Sequence, residues 1–441
     1  MADIQPFRGL RYNPSQVRLE EVITEPYDRI TPAMQEDYYR RNPYNIVRII
    51  LGKDDDPEHP EKDKYKRADL YLKAWQEKGI FVREDKKSLY FYDQEFEVNS
   101  QRKKRLGLIA RVRLEDFGSK RVLPHEKTFP KPKEDRLRLL RATLTNTEQI
   151  FLLYTDDEKK VSQAIRQAME KSQELADVRD EEGFRHRLLG IEREEDIRRI
   201  QEAMADKGLI IADGHHRYET SLNFQREMAA QLGHVRGDEP FNFVMMTLFD
   251  LDDPGLVILP TYRLIKGLDK LNEEDFKNFF SSAFAIDELA WPDANDPTPL
   301  GKAKNRVNQG QHTFAVFVSG FKKWFFLQLR SEAILDRLGE PDKSPEWRRL
   351  DVAILHSLII DQLGRFSSRP FIQEECVSYI RKLEEGISLV AAGEWQMIFL
   401  LKPCAMIEIR KVVEKGELMP HKSTDFFPKL KSGLILNPLD E

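Results

Sequence analysis

Leu209-Ile210-Ile211-Ala212-Asp213-Gly214-His215-His216-Arg217-Tyr218 decides how this chain is read. Four apolar residues in a row make a short buried strand. Asp213-Gly214 then turns the chain, and 218–232 carries Leu222, Met228, Ala229 and Leu232 on one helical face. A strand that turns through glycine into a helix presents backbone N–H groups that have no partner inside the helix. Those donors and the helix dipole favour an anion. Gly214 allows close backbone approach, and Arg217 can grip two phosphate oxygens at once. His215 or His216 can donate to phosphate or move a proton near neutral pH. Asp213 can accept a hydroxyl proton, orient a histidine or help hold Mg2+. A helix cap would explain Asp213, but not the His-His-Arg beside it. Adjacent histidines point apart and no further ligand lies at metal-site spacing, which argues against a metal centre.

Upstream of this turn, Leu123-Pro124-His125-Glu126-Lys127-Thr128 follows strand-like sequence in a proline-flanked loop. A carboxylate there, Glu126, can serve as general base for an alcohol; a solvated loop glutamate reads equally well. Downstream, Gly416 lies six before Lys422 in a stretch ending His421-Lys422-Ser423-Thr424. This nearly spells a Walker loop, but His421 stands where the second glycine belongs and a helix precedes it, so that reading is rejected. A cation-plus-hydroxyl phosphate contact through Lys422, Ser423 and Thr424, with Lys429, remains. No dinucleotide-binding G-x-G-x-x-G or nucleophile-elbow G-x-S-x-G occurs.

The 441 residues are 40% hydrophobic and 33% charged, enough for two or three packed lobes with a solvated surface. A net charge of -5 argues against a dedicated nucleic-acid binder. Cys376 and Cys404 form neither a disulfide framework nor a Cys-x-x-Cys metal pair. The first residues have no signal-peptide core, and no apolar run reaches about 18 residues. A soluble, cytoplasmic protein without membrane partners is expected.

Further strands are predicted at 89–96, 106–112, 149–154, 185–191, 313–318, 321–329 and 395–401. Helices are predicted at 65–78, 134–144, 156–174, 195–204, 272–284, 350–363 and 406–415. The texture changes after Lys266, which suggests a region 1–265 holding the site. A second α+β lobe, 266–441, would contribute its irregular tail.

Several segments together resemble a known family: Phe7-Arg8-Gly9-Leu10-Arg11-Tyr12, Glu25-Pro26-Tyr27-Asp28, Asn42-Pro43-Tyr44-Asn45, the 123–128 loop, 211–220, Leu259-Pro260-Thr261-Tyr262-Arg263 and 419–424. They resemble the prokaryotic family called domain of unknown function 1015, over nearly the whole chain. Glu25 and Tyr262 depart from its pattern. The Asp213–Arg217 turn is also similar to the phosphate loop of the ParB and sulfiredoxin superfamily, which includes free-serine kinases. These resemblances imply an α+β fold: mixed sheets, a strand–phosphate-loop–helix unit of that type, and an additional α+β lobe. They imply phosphoryl transfer between a nucleotide and a small hydroxy amino acid, serine or O-phosphoserine first, in either the kinase or the phosphatase direction. Glu126 would take the base position, and Asp213, His215, His216 and Arg217 the phosphate loop with Gly214. Mg2+ would arrive with the nucleotide, and no bound organic cofactor is expected. The alternative is a ParB-like module that binds nucleotide or DNA without chemistry.

Overall fold

The computed structural model describes residues 2–55, 62–126, 128, 130–291, 296–338, 340 and 342–440. The chain divides into two compact units, Met1–Val257 with Pro428–Glu441, and Ile258–Phe427. Both mix helices with sheets, giving the α+β class.

In the first unit the run 209–212 becomes part of a nine-stranded mixed sheet. Its strands are β1 (Ile4–Gln5), β2 (Leu89–Val98), β3 (Gln101–Arg113), β4 (Val122–Leu123), β5 (Ile150–Tyr154), β6 (Gln173–Arg179), β7 (Arg185–Ile191), β8 (Leu209–Asp213) and β9 (Phe243–Asp250). They lie in the order β4-β8-β5-β9-β3-β2-β7-β6, with β1 on β3. The β2–β3 hairpin closes through Asn99 and Ser100, both at positive φ, the pair of conformations that a tight two-residue hairpin requires. The longer helices of this unit include α1 (Lys64–Glu77), α2 (Pro130–Thr143), α3 (Lys160–Met169), α4 (Glu194–Met204) and α5 (His215–Leu232). The core under the sheet gathers Leu108, Ile150, Leu152, Ile211, Tyr218 and Met246, all under 2% exposed.

Two expectations change here. The helix predicted over 156–174 is α3 followed by β6. The Asp156 carboxylate accepts the N–H groups of Val161 and Ser162, so the helix starts late. Beyond it, Leu175 and Val178 turn inward from an edge strand whose outer face is polar. The central strand β9 is absent from the sequence reading, although seven of its eight residues are buried.

The second unit holds a six-stranded sheet of β10 (Tyr262–Ile265), β11 (Phe284–Ala290), β12 (Thr313–Val318), β13 (Lys323–Leu329), β14 (Val377–Ile380) and β15 (Met397–Leu400). Their order is β11-β13-β12-β15-β10-β14. The amphipathic helix expected at 350–363 is broken into an α-turn, a π-helical turn over Leu355–Ile359 and a 3-10 segment. Ile359 leaves helical geometry at φ -122° and ψ -67°, which ends the regular ladder.

Candidate active site

Strand pairing explains why distant segments meet. β8 runs parallel to β4, with Leu209 opposite Val122 and Ile210 opposite Leu123. Parallel neighbours end at the same edge, so the chain leaving β4 through Pro124, His125 and Glu126 passes the Asp213–Gly214 turn. β8 runs antiparallel to β5, with a register shift between Ile211 and Asp213. That brings the entry to β5, residues 147–149, to the same edge.

At the turn Gly214 sits at φ +92° and ψ +28°, where a side chain is strained. Its N–H donates to Asp213 Oδ1 at 2.9 Å, and its carbonyl accepts the Tyr218 N–H at 3.0 Å to start α5. A Cβ added at Gly214 would stand 3.0 Å from Arg217 Nε, because the guanidinium folds back over the turn. Arg217 Nη1 also donates to the Gln149 carbonyl. Glycine is therefore needed for its backbone angle and for the room it leaves.

The two sides of the edge are pinned by histidines. The His125 N–H donates to His215 Nε2 at 3.1 Å, which leaves the His215 proton on Nδ1. His125 Nδ1 bonds the Ile211 carbonyl, and the two rings meet edge to face at 4.6 Å. Burial, helped by His125, pushes His215 down to about 3, so it stays neutral. Burial also lowers His125 and the half-buried His216, against the charge of Glu126. Glu126, next in sequence to the pinned His125, lies within electrostatic range of His215 and His216. Lys127 lies outside the described residues. Glu219, one turn into α5, accepts from Thr128 Oγ1 at 2.8 Å and Lys133 Nζ at 2.7 Å, tying the loop and α2 to α5.

The terminal segment Pro428–Glu441 runs through this same unit. Lys429 Nζ lies 3.0 Å from Asp213 Oδ2, and the lysine is 8% exposed. Burial would raise the Asp213 carboxyl, but Lys429 and Arg217 outweigh it and hold Asp213 well below the usual carboxylate range. Two residues on, Lys431 bonds Glu25 and reaches Asp180 Oδ2 at 3.0 Å. Ser432 Oγ donates to Glu148 Oε1 at 3.0 Å, and the Tyr27 N–H donates to the same oxygen at 3.0 Å. Arg136 lies over the Tyr27 ring at 4.0 Å. A cavity of about 40 Å³ opens here, lined among others by Arg136, Glu148, Arg217, Thr220 and Ser221. It is too small for a nucleotide and suits a small polar group or about three waters.

The sequence analysis names the turn, Glu126 and, with the 421–424 stretch, Lys429, but gives no site role to Lys431, Glu148, Arg136 or Asp28. Asp28 acts on His216 and Arg217 from the Glu25-Pro26-Tyr27-Asp28 segment. The available signal was lysine within an otherwise apolar tail, Phe426 to Leu436. Lys422, Ser423 and Thr424 belong to the second unit. There the Lys422 carbonyl accepts from Arg263 Nη2 at 3.0 Å, and Lys422 is left-handed at φ +55°. Among the described residues no group of three or more His, Cys, Asp or Glu side chains is arranged to hold a metal ion. None of their helices is long and apolar enough to cross a membrane.

The chain belongs to the family described as "Protein of unknown function (DUF1015)", which matches residues 4–353. Among solved structures it is similar to a conserved hypothetical protein from Pyrococcus furiosus, at 14% identity and a TM-score of 0.33. That match covers 74% of this chain and 95% of the other. A free serine kinase in complex with AMP shows 14% identity and a TM-score of 0.34, over 74% of this chain and 92% of that one. SbnI with C-terminal truncation, from Staphylococcus aureus, shows 11% identity and a TM-score of 0.34, over 76% and 89%. No curated protein matches by sequence.

Proposed function

We propose that this chain transfers a phosphoryl group between a nucleotide and a small hydroxy amino acid, with serine or O-phosphoserine as the leading pair. The observation that carries this reading is the His125–His215 bond, which holds the segment bearing Glu126 against the Asp213–Arg217 turn at the end of parallel strands β4 and β8. Amide groups at the start of α5 and the Arg217 guanidinium take the transferring phosphate. Glu126 accepts the proton of the acceptor hydroxyl. The hydroxyl oxygen forms the new bond to phosphorus, the bond to the nucleotide's bridging oxygen breaks, and the nucleotide leaves with that electron pair. His215, neutral with Nε2 engaged, positions the Glu126 segment. The half-buried His216 donates to phosphate. Asp213 and Glu126 are the carboxylates at the turn that could hold Mg2+, which neutralises phosphate charge when it arrives with the nucleotide.

The test is a phosphate-release and transfer screen with ATP, ADP, pyrophosphate, serine and phosphoserine. Phosphorylated amino acid, or nucleotide made from phosphoserine, is the expected product. Nucleotide or DNA binding with no turnover on any pair would replace this reading with a binding module.

A further inference from the structure

We infer that Lys429, delivered by the terminal segment, is a ligand-binding residue of this site: a second cation that grips the same phosphate as Arg217. The inference rests on the phosphoryl-transfer reading. Lys429 lies more than two hundred residues from Asp213 in sequence, yet its ammonium stands 3.0 Å from the Asp213 carboxylate. It is not a surface side chain that happens to reach inward, since the residue is 8% exposed. The backbone on either side is fixed. The Pro428 carbonyl accepts from Arg105 and the Lys429 carbonyl from Gln94 Nε2 at 3.2 Å. Ser432 pairs with Thr24 through two backbone bonds of 2.9 and 3.1 Å. Nζ is thus held at the turn by the fold.

Two cations converge on the turn. His125 and His215 are neutral by burial, so the turn carries Arg217 and Lys429 with the positive end of α5, faced by Asp213 and also by Glu148, Asp28 and Glu126. Asp213 is the carboxylate in direct contact with Lys429. It keeps the buried lysine charged and aims it, a pairing that a buried ammonium requires. An ammonium is a three-donor point charge, so it can hold Asp213 and a phosphate oxygen together, as lysines of phosphate loops do.

A purely structural lysine would serve only to neutralise Asp213, and the two roles separate experimentally. ADP affinity would be measured by calorimetry on the full chain for wild type, Lys429→Met, Asp213→Asn and the double variant, with folding checked by circular dichroism. Lys429→Met is expected to weaken ADP by about 10–100-fold, the range for a lost charge-assisted bond. The double variant should stay weak. Wild-type affinity in Lys429→Met, or recovery of affinity in the double variant, overturns the inference. No ADP binding by the wild type would instead remove the phosphoryl-transfer reading beneath it. If Lys429→Met does not fold, a crystal of the wild type with ADP decides. Nζ within hydrogen-bond distance of a phosphate oxygen supports the inference, and a phosphate at the turn out of its reach overturns it.

Discussion

In the proposed reaction Arg217 and Glu126 have different tasks, and single substitutions separate them. Arg217→Lys keeps the charge but loses the planar fork that spans Gly214 and the Gln149 carbonyl. Turnover should fall by about 10–100-fold if one charge-assisted bond is lost, with the melting temperature little changed. Wild-type turnover with an intact fold would remove Arg217 from the phosphate clamp. Glu126→Gln preserves size and removes the base. Positioned base catalysis is worth about 100–10,000-fold, so kcat should drop by that order while the affinity for nucleotide holds. Unchanged turnover in this variant would make Glu126 a loop residue.

At the scale of elements, the terminal segment is part of the first unit's architecture. Deleting 428–441 removes Lys431 from Glu25 and Asp180, Ser432 from Glu148, and Lys429 from Asp213. The Asp180 side chain is 1% exposed and also bonds His186 at 2.9 Å, so it would keep a buried charge with half its support. Breaking a buried pair from one side costs about 3–5 kcal/mol. The truncated chain should melt markedly lower or be recovered insoluble. A truncation that melts with the full chain would show the segment to be an accessory. Here the sequence is hardest to read. Strand β8, its glycine turn and α5 are legible because apolar run, glycine and helical period follow one another within 24 residues, 209–232. Glu126 is placed only by parallel pairing of β4 with β8, which no local pattern encodes. Lys429 is legible only as a cation near the 421–424 stretch, and Lys431 looks like an ordinary solvated lysine until the chain around it is buried. The polar edge strand β6 imitates helix polarity, and the Leu355–Ile359 turn breaks a period that looks unbroken in sequence.

Across the whole molecule the buried histidines set a direction for stability against pH. His125, His186 and His215 in the first unit and His356 in the second are all lowered, first by burial, with His215 and His356 pushed to about 3. A histidine lowered on folding binds fewer protons in the native state than in the unfolded one. Its contribution is complete above the ordinary value of about 6.5 and is lost as pH falls towards the folded value. Asp213 and Asp180 act in the same sense further down, since their depressed carboxyls stabilise the fold above the ordinary aspartate range and stop doing so below it. His312 acts oppositely, because its bond to Asp351 raises it, and what it adds below about 6.5 is lost as pH rises through the raised value. With His216, also lowered by burial, five histidines against one predict that the fold weakens from pH 7 to pH 5, by at most about 1.4 kcal/mol per histidine for each pH unit. Urea midpoints at pH 7, 6 and 5 would measure it. The His215→Gln variant should start less stable and show a shallower slope, because it lacks one of the groups that must stay neutral. A midpoint that is flat or rises on acidification would mean these histidines fold protonated, and His215 could then no longer accept the His125 N–H that holds Glu126 at the turn.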